Sequence, residues 1–354
     1  MKKNIFIFLV FFSIIIGAVA QIPTGYYDNA DGKTGATLKT ALYNIIKGHT
    51  SVSYDHLWTD FQYTDKKPNG KVWDMYSNCD YTFVTNQCGS YNSECDCYNR
   101  EHSFPKSWFN DASPMYSDIF HIFATDGYVN NMRGNYPFGE VNSPTKTSGN
   151  GSKLGPCAYT GYSGTVFEPV DDYKGDLARA TLYMVTRYEN LVAGWQGNDP
   201  NANAILNGTT YPAFESWHIN MLIEWHEADP VSTKEIDRNN YIYSHVQYNR
   251  NPYIDHPEYV RMVWDPGTAI TAAADNHRQQ ITITNKARDI SILNNSDETE
   301  LSVRITAISG SILTTKTIQG KENSIHLDSS IPDGVYIISV SGASITIHKK
   351  IILH

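Results

Sequence analysis

The sequence predicts an α+β protein: a mainly helical domain first, then a small all-β sandwich. Three observations lead there. Apolar residues recur at helical spacing in four stretches before position 250. After position 280 the chain turns to short alternating runs rich in β-branched residues. Between the two lies a Pro-, Gly- and Ala-containing stretch with neither pattern.

The N-terminus reads as an export signal over residues 1–20. Lys2 and Lys3 precede an apolar run from Ile5 to Ile16, broken only by Ser13, and Gly17-Ala18-Val19-Ala20 offers an A-x-A cleavage site. The run is too short to span a bilayer comfortably, and nothing later is long and apolar enough, so no stable membrane insertion is expected. Residues 21–265 form the predicted main domain. Ala36 to Ile46, Asp176 to Tyr188, Phe214 to Glu227 and Ser232 to Val246 are its expected helices, and Ser232 with Glu235 makes a capping box. Residues 266–279, with Pro266-Gly267 and Ala272-Ala273-Ala274, read as a linker. Residues 280–354 carry Ile281-Thr282-Ile283-Thr284, Leu301 to Ile305, Val335 to Val340 and Ile345-Thr346-Ile347, with turns at Ser309-Gly310 and Pro332-Asp333-Gly334. No cluster of titratable groups falls there, so chemistry belongs to the first domain.

Charge and cysteines bound the function. The net charge is −9, and residues 21–275 hold 18 basic against 30 acidic residues. Bulk electrostatics therefore predict only weak attraction to a polyanion, and a nucleic-acid enzyme of this composition needs its few arginines gathered at the cleft and divalent cations to offset nearby carboxylates. Export puts Cys79, Cys88, Cys95, Cys97 and Cys157 in an oxidising compartment. Two disulfides fit the first four, with connectivity open and one thiol left over; Cys95 and Cys97, one residue apart, are expected to bond elsewhere than to each other. No Cys-x-x-Cys pair supports zinc. Trp225-His226-Glu227 is not a metalloprotease motif either, because Pro230 stands where its second His would be.

Two segments concentrate chemistry: Asn99-Arg100-Glu101-His102-Ser103-Phe104-Pro105, and Asp118 to Glu140 with His121, Asp126, Asn130, Arg133 and Asn135. Phosphodiester hydrolysis needs a base to activate water, a cation to neutralise phosphate and departing oxygen, and a grip on the phosphate. A neutral imidazole, His102, suits the base. A hard cation prefers oxygen ligands, which Glu101 and Asn130 supply. Arg133 offers a forked contact to phosphate. On a regular strand Glu101 and His102 point to opposite faces, so both meet one cleft only if the strand ends or kinks there.

Arg100 to Pro105, Thr125-Asp126-Gly127-Tyr128-Val129-Asn130, Arg133 to Gly139 and Gln247 to Asp255 together resemble the bacterial endonuclease I family, nucleases of the His-Me finger class, over about residues 25–265. The resemblance implies a ββα-metal motif, with His102 as general base and Glu101 and Asn130 as ligands of one Mg²⁺, with Mn²⁺ or Ca²⁺ as substitutes. It also implies non-specific cleavage of DNA, often of RNA too. His121 and Ala124 stand where many relatives have Asn and Pro, at the start of the motif's helix. Lys106 is the sole cation between Ser103 and Asp118, so Arg133 and Arg250 are assigned the phosphate, and Arg100, Asn135, Arg250 and Asn251 are expected to touch substrate. For Gln247 to Asp255 the first reading is bracing of the cleft by buried polar contacts, and direct DNA contact by Arg250 or Asn251 is the second. Pro332 to Ile337 with Lys349-Lys350-Ile351-Ile352-Leu353 resembles the C-terminal sorting domain of the type IX system. That implies passage through the periplasm to the medium or cell surface, as a monomer. The rival reading is a secreted glycan- or nucleic-acid-binding surface protein without turnover, its Tyr and Trp residues stacking on sugars or bases.

Overall fold

The computed structural model describes residues 22–267, 281–294, 299–307, 312–342 and 346–353. The expected signal at 1–20, most of the linker and the Ser309-Gly310 turn lie outside them. Two compact units emerge, Met1–Pro266 and Gly267–His354.

In the first unit the helices are α1 (Gly35–Ile46), α2 (Leu57–Thr64), α3 (Gly127–Arg133), α4 (Lys174–Arg187), α5 (Glu189–Val192), α6 (Pro200–Ile205), α7 (Ser216–Ala228) and α8 (Thr233–Tyr241), with two short ones after Asn251. α1 buries Leu38, Ala41, Leu42 and Ile46, the helical stripe its spacing predicts. α4 starts two residues earlier than expected and is buried all round. Its polar residues are tolerated because they are paired: Arg179 meets the Glu235 carboxylate through two nitrogens, at 2.5 and 2.8 Å. The capping box of Ser232 and Glu235 forms at the start of α8. The helix expected to run to Val246 stops at Tyr241, and Ile242–Val246 continues as a π-helical turn.

Strand β1 (Tyr98–His102) pairs antiparallel with β2 (Ile122–Asp126), from Tyr98↔Asp126 to His102↔Ile122. α3 follows directly, completing a ββα unit. Asp126 stops the strand and starts the helix, because its Oδ1 accepts the free N–H groups of Tyr128 and Val129. The helix therefore begins after Asp126, and His121 and Ala124 sit in a 3₁₀ turn and in β2 rather than at its start. Gly127 is required for packing: a Cβ there would lie 2.7 Å from the Tyr91 ring and 3.0 Å from the Cys88 sulfur. Disulfides Cys79–Cys95 and Cys88–Cys97 tie down the loop that leads into β1, leaving Cys157 free. A small sheet, β3 (Lys146–Thr147), β4 (Lys153–Pro156) and β5 (Thr165–Glu168), was not foreseen.

The second unit is all antiparallel β, in two sheets. One holds β6 (Ile281–Lys286), β7 (Asp289–Asn294) and β10 (Glu322–His326). The other holds β8 (Glu300–Ala307), β9 (Ile312–Gln319), β11 (Gly334–Ser341) and β12 (Thr346–Leu353). Ile283, Ile290 and Ile292 of the first share a core with Val303, Ile338 and Val340 of the second, as a sandwich requires. Among the described residues no helix is long and apolar enough to cross a membrane.

Candidate active site

Glu101 and His102 meet one cleft because β1 ends at His102. Pro105 and a 3₁₀ turn from Lys106 to Phe109 follow immediately, and they carry the chain out of the sheet. An open cleft of about 350 Å³ lies there, lined by Tyr54, Arg100, Glu101, His102, Lys106 and Asn130 among others.

Glu101 is almost fully buried. Its Oε1 accepts from the Tyr76 hydroxyl at 2.9 Å and from Arg133 Nη1 at 2.7 Å. Burial pushes its pKa up to about 7, against the pull of Arg133 and Tyr76. Both protein donors converge on one oxygen, which leaves Oε2 without a protein hydrogen bond among the described residues.

His102 lies parallel to the Tyr54 ring, centroids 5.4 Å apart, and its Nε2 is 3.0 Å from the Tyr116 carbonyl oxygen. A carbonyl only accepts, so Nε2 carries the proton and Nδ1 keeps the lone pair. Burial, with His121 nearby, lowers its pKa to about 3 and holds the ring neutral. Asn130, one helical turn into α3 and half-buried, donates its amide NH₂ to Asn99 Oδ1 at 2.7 Å. That bond fixes the end of the amide that remains: the oxygen, which accepts no hydrogen bond among the described residues. A carboxylate oxygen and an amide oxygen on one cleft are the hard donors that a Mg²⁺-sized cation takes together with water.

The arginines assigned to phosphate do other work. Arg133 has no exposed surface. It donates to Glu101 Oε1 and, at 2.9 and 2.7 Å, to the carbonyls of His102 and Ser103 where β1 ends. It holds the site from inside the core and does not line the cleft. Arg250 is buried on Asp255, at 2.6 and 2.7 Å, and on Asn240; Asn251 caps the helix Pro252–Asp255 and reaches the Arg179 carbonyl. Neither lines the cleft, and both make buried polar contacts within the fold. Gln247 and Asn249 do likewise, bonding Asp118 and Tyr183. Arg100 and Asn135 do line the cleft. Arg100 lies 3.6 Å over the Tyr54 ring and bonds the Tyr54 carbonyl, while Asn135 is held between Asp199 and Asn201. The cations on the cleft are thus Arg100, paired with exposed Asp55 at 3.1 Å, and Lys106, paired with exposed Asp111 at 2.7 Å. Sequence reasoning missed Tyr54, Tyr76, Asn99 and the Tyr116 carbonyl. Among these only Asn99 sits beside the motif.

Residues 34–258 match the family model for Endonuclease I. The chain belongs to this family. Residues 278–354 match a secretion system C-terminal sorting domain. An extracellular ribonuclease of Bacillus subtilis (strain 168) is 36% identical over 246 residues, 68% of this chain and 78% of its own. An extracellular ribonuclease of Bacillus amyloliquefaciens is 35% identical over 259 residues, 71% and 82% respectively. Among solved structures, a DUF3244-family immunoglobulin-like β-sandwich from Bacteroides vulgatus aligns with a TM-score of 0.20 at 19% identity, over 21% of this chain and 84% of its own. As an Endonuclease I family member with a type IX sorting domain, the protein is a nuclease, secreted or held at the cell surface, from a generally metal-dependent family.

Proposed function

We propose that the protein is a secreted endonuclease that hydrolyses the phosphodiester bonds of DNA, and of RNA as well, without sequence preference. The observation that carries this reading is the hydrogen bond from His102 Nε2 to the Tyr116 carbonyl, beside Glu101 and Asn130 on one cleft. It leaves Nδ1 as an oriented acceptor. His102 takes the proton of the attacking water at Nδ1 as the water oxygen bonds phosphorus and the bond to the departing 3′-oxygen breaks. Glu101 Oε2 and the Asn130 amide oxygen would hold the Mg²⁺, which when bound offsets charge on the phosphate and the departing oxygen. Arg133 and Tyr76 keep the Glu101 carboxylate in place, and Asn99 keeps the Asn130 amide turned oxygen-out. Arg100 and Lys106 supply the positive charge that the chain as a whole lacks.

RNA is included because both Bacillus relatives are named ribonucleases. The test is degradation of plasmid DNA and of single-stranded RNA with Mg²⁺, with Mn²⁺ and with chelator, for the parent and for His102→Ala. Loss of both activities in His102→Ala with the fold retained supports the reading. Full activity in that variant, or in chelator, overturns it.

A further inference from the structure

A second cleft, of about 550 Å³, opens beside α2 and α8, with Tyr63, Lys66, Lys67, Trp73 and Lys234 among its lining residues. At its edge three rings stack outside the core. Tyr63, the most exposed, lies parallel to Tyr241, with centroids 5.1 Å apart and planes 5° apart. Tyr241 in turn lies on exposed His245, at 4.4 Å and 15°. Lys66, exposed, stands 5.9 Å from the centre of the Tyr63 ring. Lys67 faces exposed Asp80 only at 3.8 Å, whereas Lys234 is nearly buried, covered by Trp73 and Tyr173 and paired with Asp176 at 3.4 Å. Asp237 is the acidic residue of the lining. The exposed members of the stack are its two ends, Tyr63 and His245, whose outer faces are what an unpaired base stacks on, while Lys66 and Lys67 match the backbone charge.

We propose that this ring stack and its lysines form a second binding site for single-stranded nucleic acid, which holds the strand beyond the cleavage cleft. The link to that cleft is α2. Near its start Trp58 packs under Arg100 of the cleft, the guanidinium 4.5 Å from the ring, and Tyr63 stands five residues further along the same helix, a rise of roughly 8 Å. The site reconciles the composition with the substrate: in a domain with far more acidic than basic residues, Lys66 and Lys67 stand beside the exposed rings. It rests on the reading of nucleic acid as substrate.

The experiment uses the full chain carrying His102→Ala and a fluorescent single-stranded 20-mer without secondary structure, with and without Tyr63→Ala plus Lys66→Ala. Both added positions are exposed, so the fold is kept. The dissociation constant is expected to rise about tenfold, the loss of one stacked base, and the slope of log affinity against log salt to fall by about 0.7. In the catalytically intact chain the same pair should raise KM for the 20-mer and leave kcat on a trinucleotide unchanged. Unchanged affinity and salt slope for the 20-mer would overturn the site while leaving the cleavage mechanism standing. Equal loss of kcat on the trinucleotide would overturn it too, since the pair would then act on the cleavage cleft. A parent that binds an oligosaccharide but no nucleic acid would overturn both the site and the proposed function.

Discussion

Arg133 Nη1 lies 2.7 Å from Glu101 Oε1, with the arginine fully buried and the glutamate reaching only the floor of the cleft. The arginine arrives from α3 and the glutamate from β1, so this one ion pair locks the helix to the strand end at which the site is built. Arg133→Met should destabilise the protein by about 3–5 kcal/mol, because it leaves a buried carboxylate without its partner. Urea denaturation measures it. A variant that unfolds at the parent's midpoint and loses only turnover would return Arg133 to the phosphate.

Asn99 should matter without touching substrate. Its Oδ1 takes the Asn130 amide NH₂. In Asn99→Ala the Asn130 amide is free to turn, so the metal concentration for half-maximal activity should rise several-fold, with stability changed by about 1 kcal/mol or less. Activity titrated against Mg²⁺ at saturating substrate gives the answer. An unchanged metal requirement would remove Asn99 from the site's support.

His218 on α7 is buried with neither ring nitrogen hydrogen-bonded among the described residues, and burial lowers its pKa to about 3. Above about pH 6.5 it is neutral whether the chain is folded or not. Between pH 6.5 and 3 the unfolded chain takes up a proton that the folded chain refuses. Stability therefore falls with falling pH, by up to ~1.4 kcal/mol per unit from this group. His218→Leu should lose less stability than the parent between pH 7 and 4.5. Parallel stability curves for the two proteins would contradict the assignment.

The Cys79–Cys95 bridge closes a loop of 16 residues, and the Cys95 N–H bonds Asp126 Oδ2 at 2.7 Å, next to the cap that starts α3. Replacing both cysteines by serine should cost about 3 kcal/mol and weaken activity as the ββα unit loosens. A change under about 1 kcal/mol would mean that the loop is held by other contacts.

What the sequence disclosed, and what it hid, follows from the range of the interactions. The stripe of α1 and the Ser232–Glu235 box of α8 are local, and both form as read. Glu101, His102 and Asn130 were legible as residue types in two short segments, and the cleft unites them because β1 and β2 pair in register. The role of Arg133 was not legible. Its neighbours in sequence do not show that it turns inward to a carboxylate 32 positions away. Arg250 was misread for the same reason: a cation among turn residues looks exposed until Asp255 and Asn240 close over it. Strands β9 and β10 went unseen because they carry few apolar residues, Thr and Lys filling most of β9, whereas the alternation of Ile290 and Ile292 in β7 was short and passed over. Disulfide pairing was open because several connectivities fit four cysteines that close in sequence.

The most direct test is a crystal structure of the protein with Mn²⁺, the ion located by its anomalous scattering. The predicted result is one ion in the cleft with a Glu101 carboxylate oxygen and the Asn130 amide oxygen both within about 2–2.5 Å. An ion bound elsewhere, or one that leaves either of those two oxygens out of its coordination shell, would contradict the proposed site.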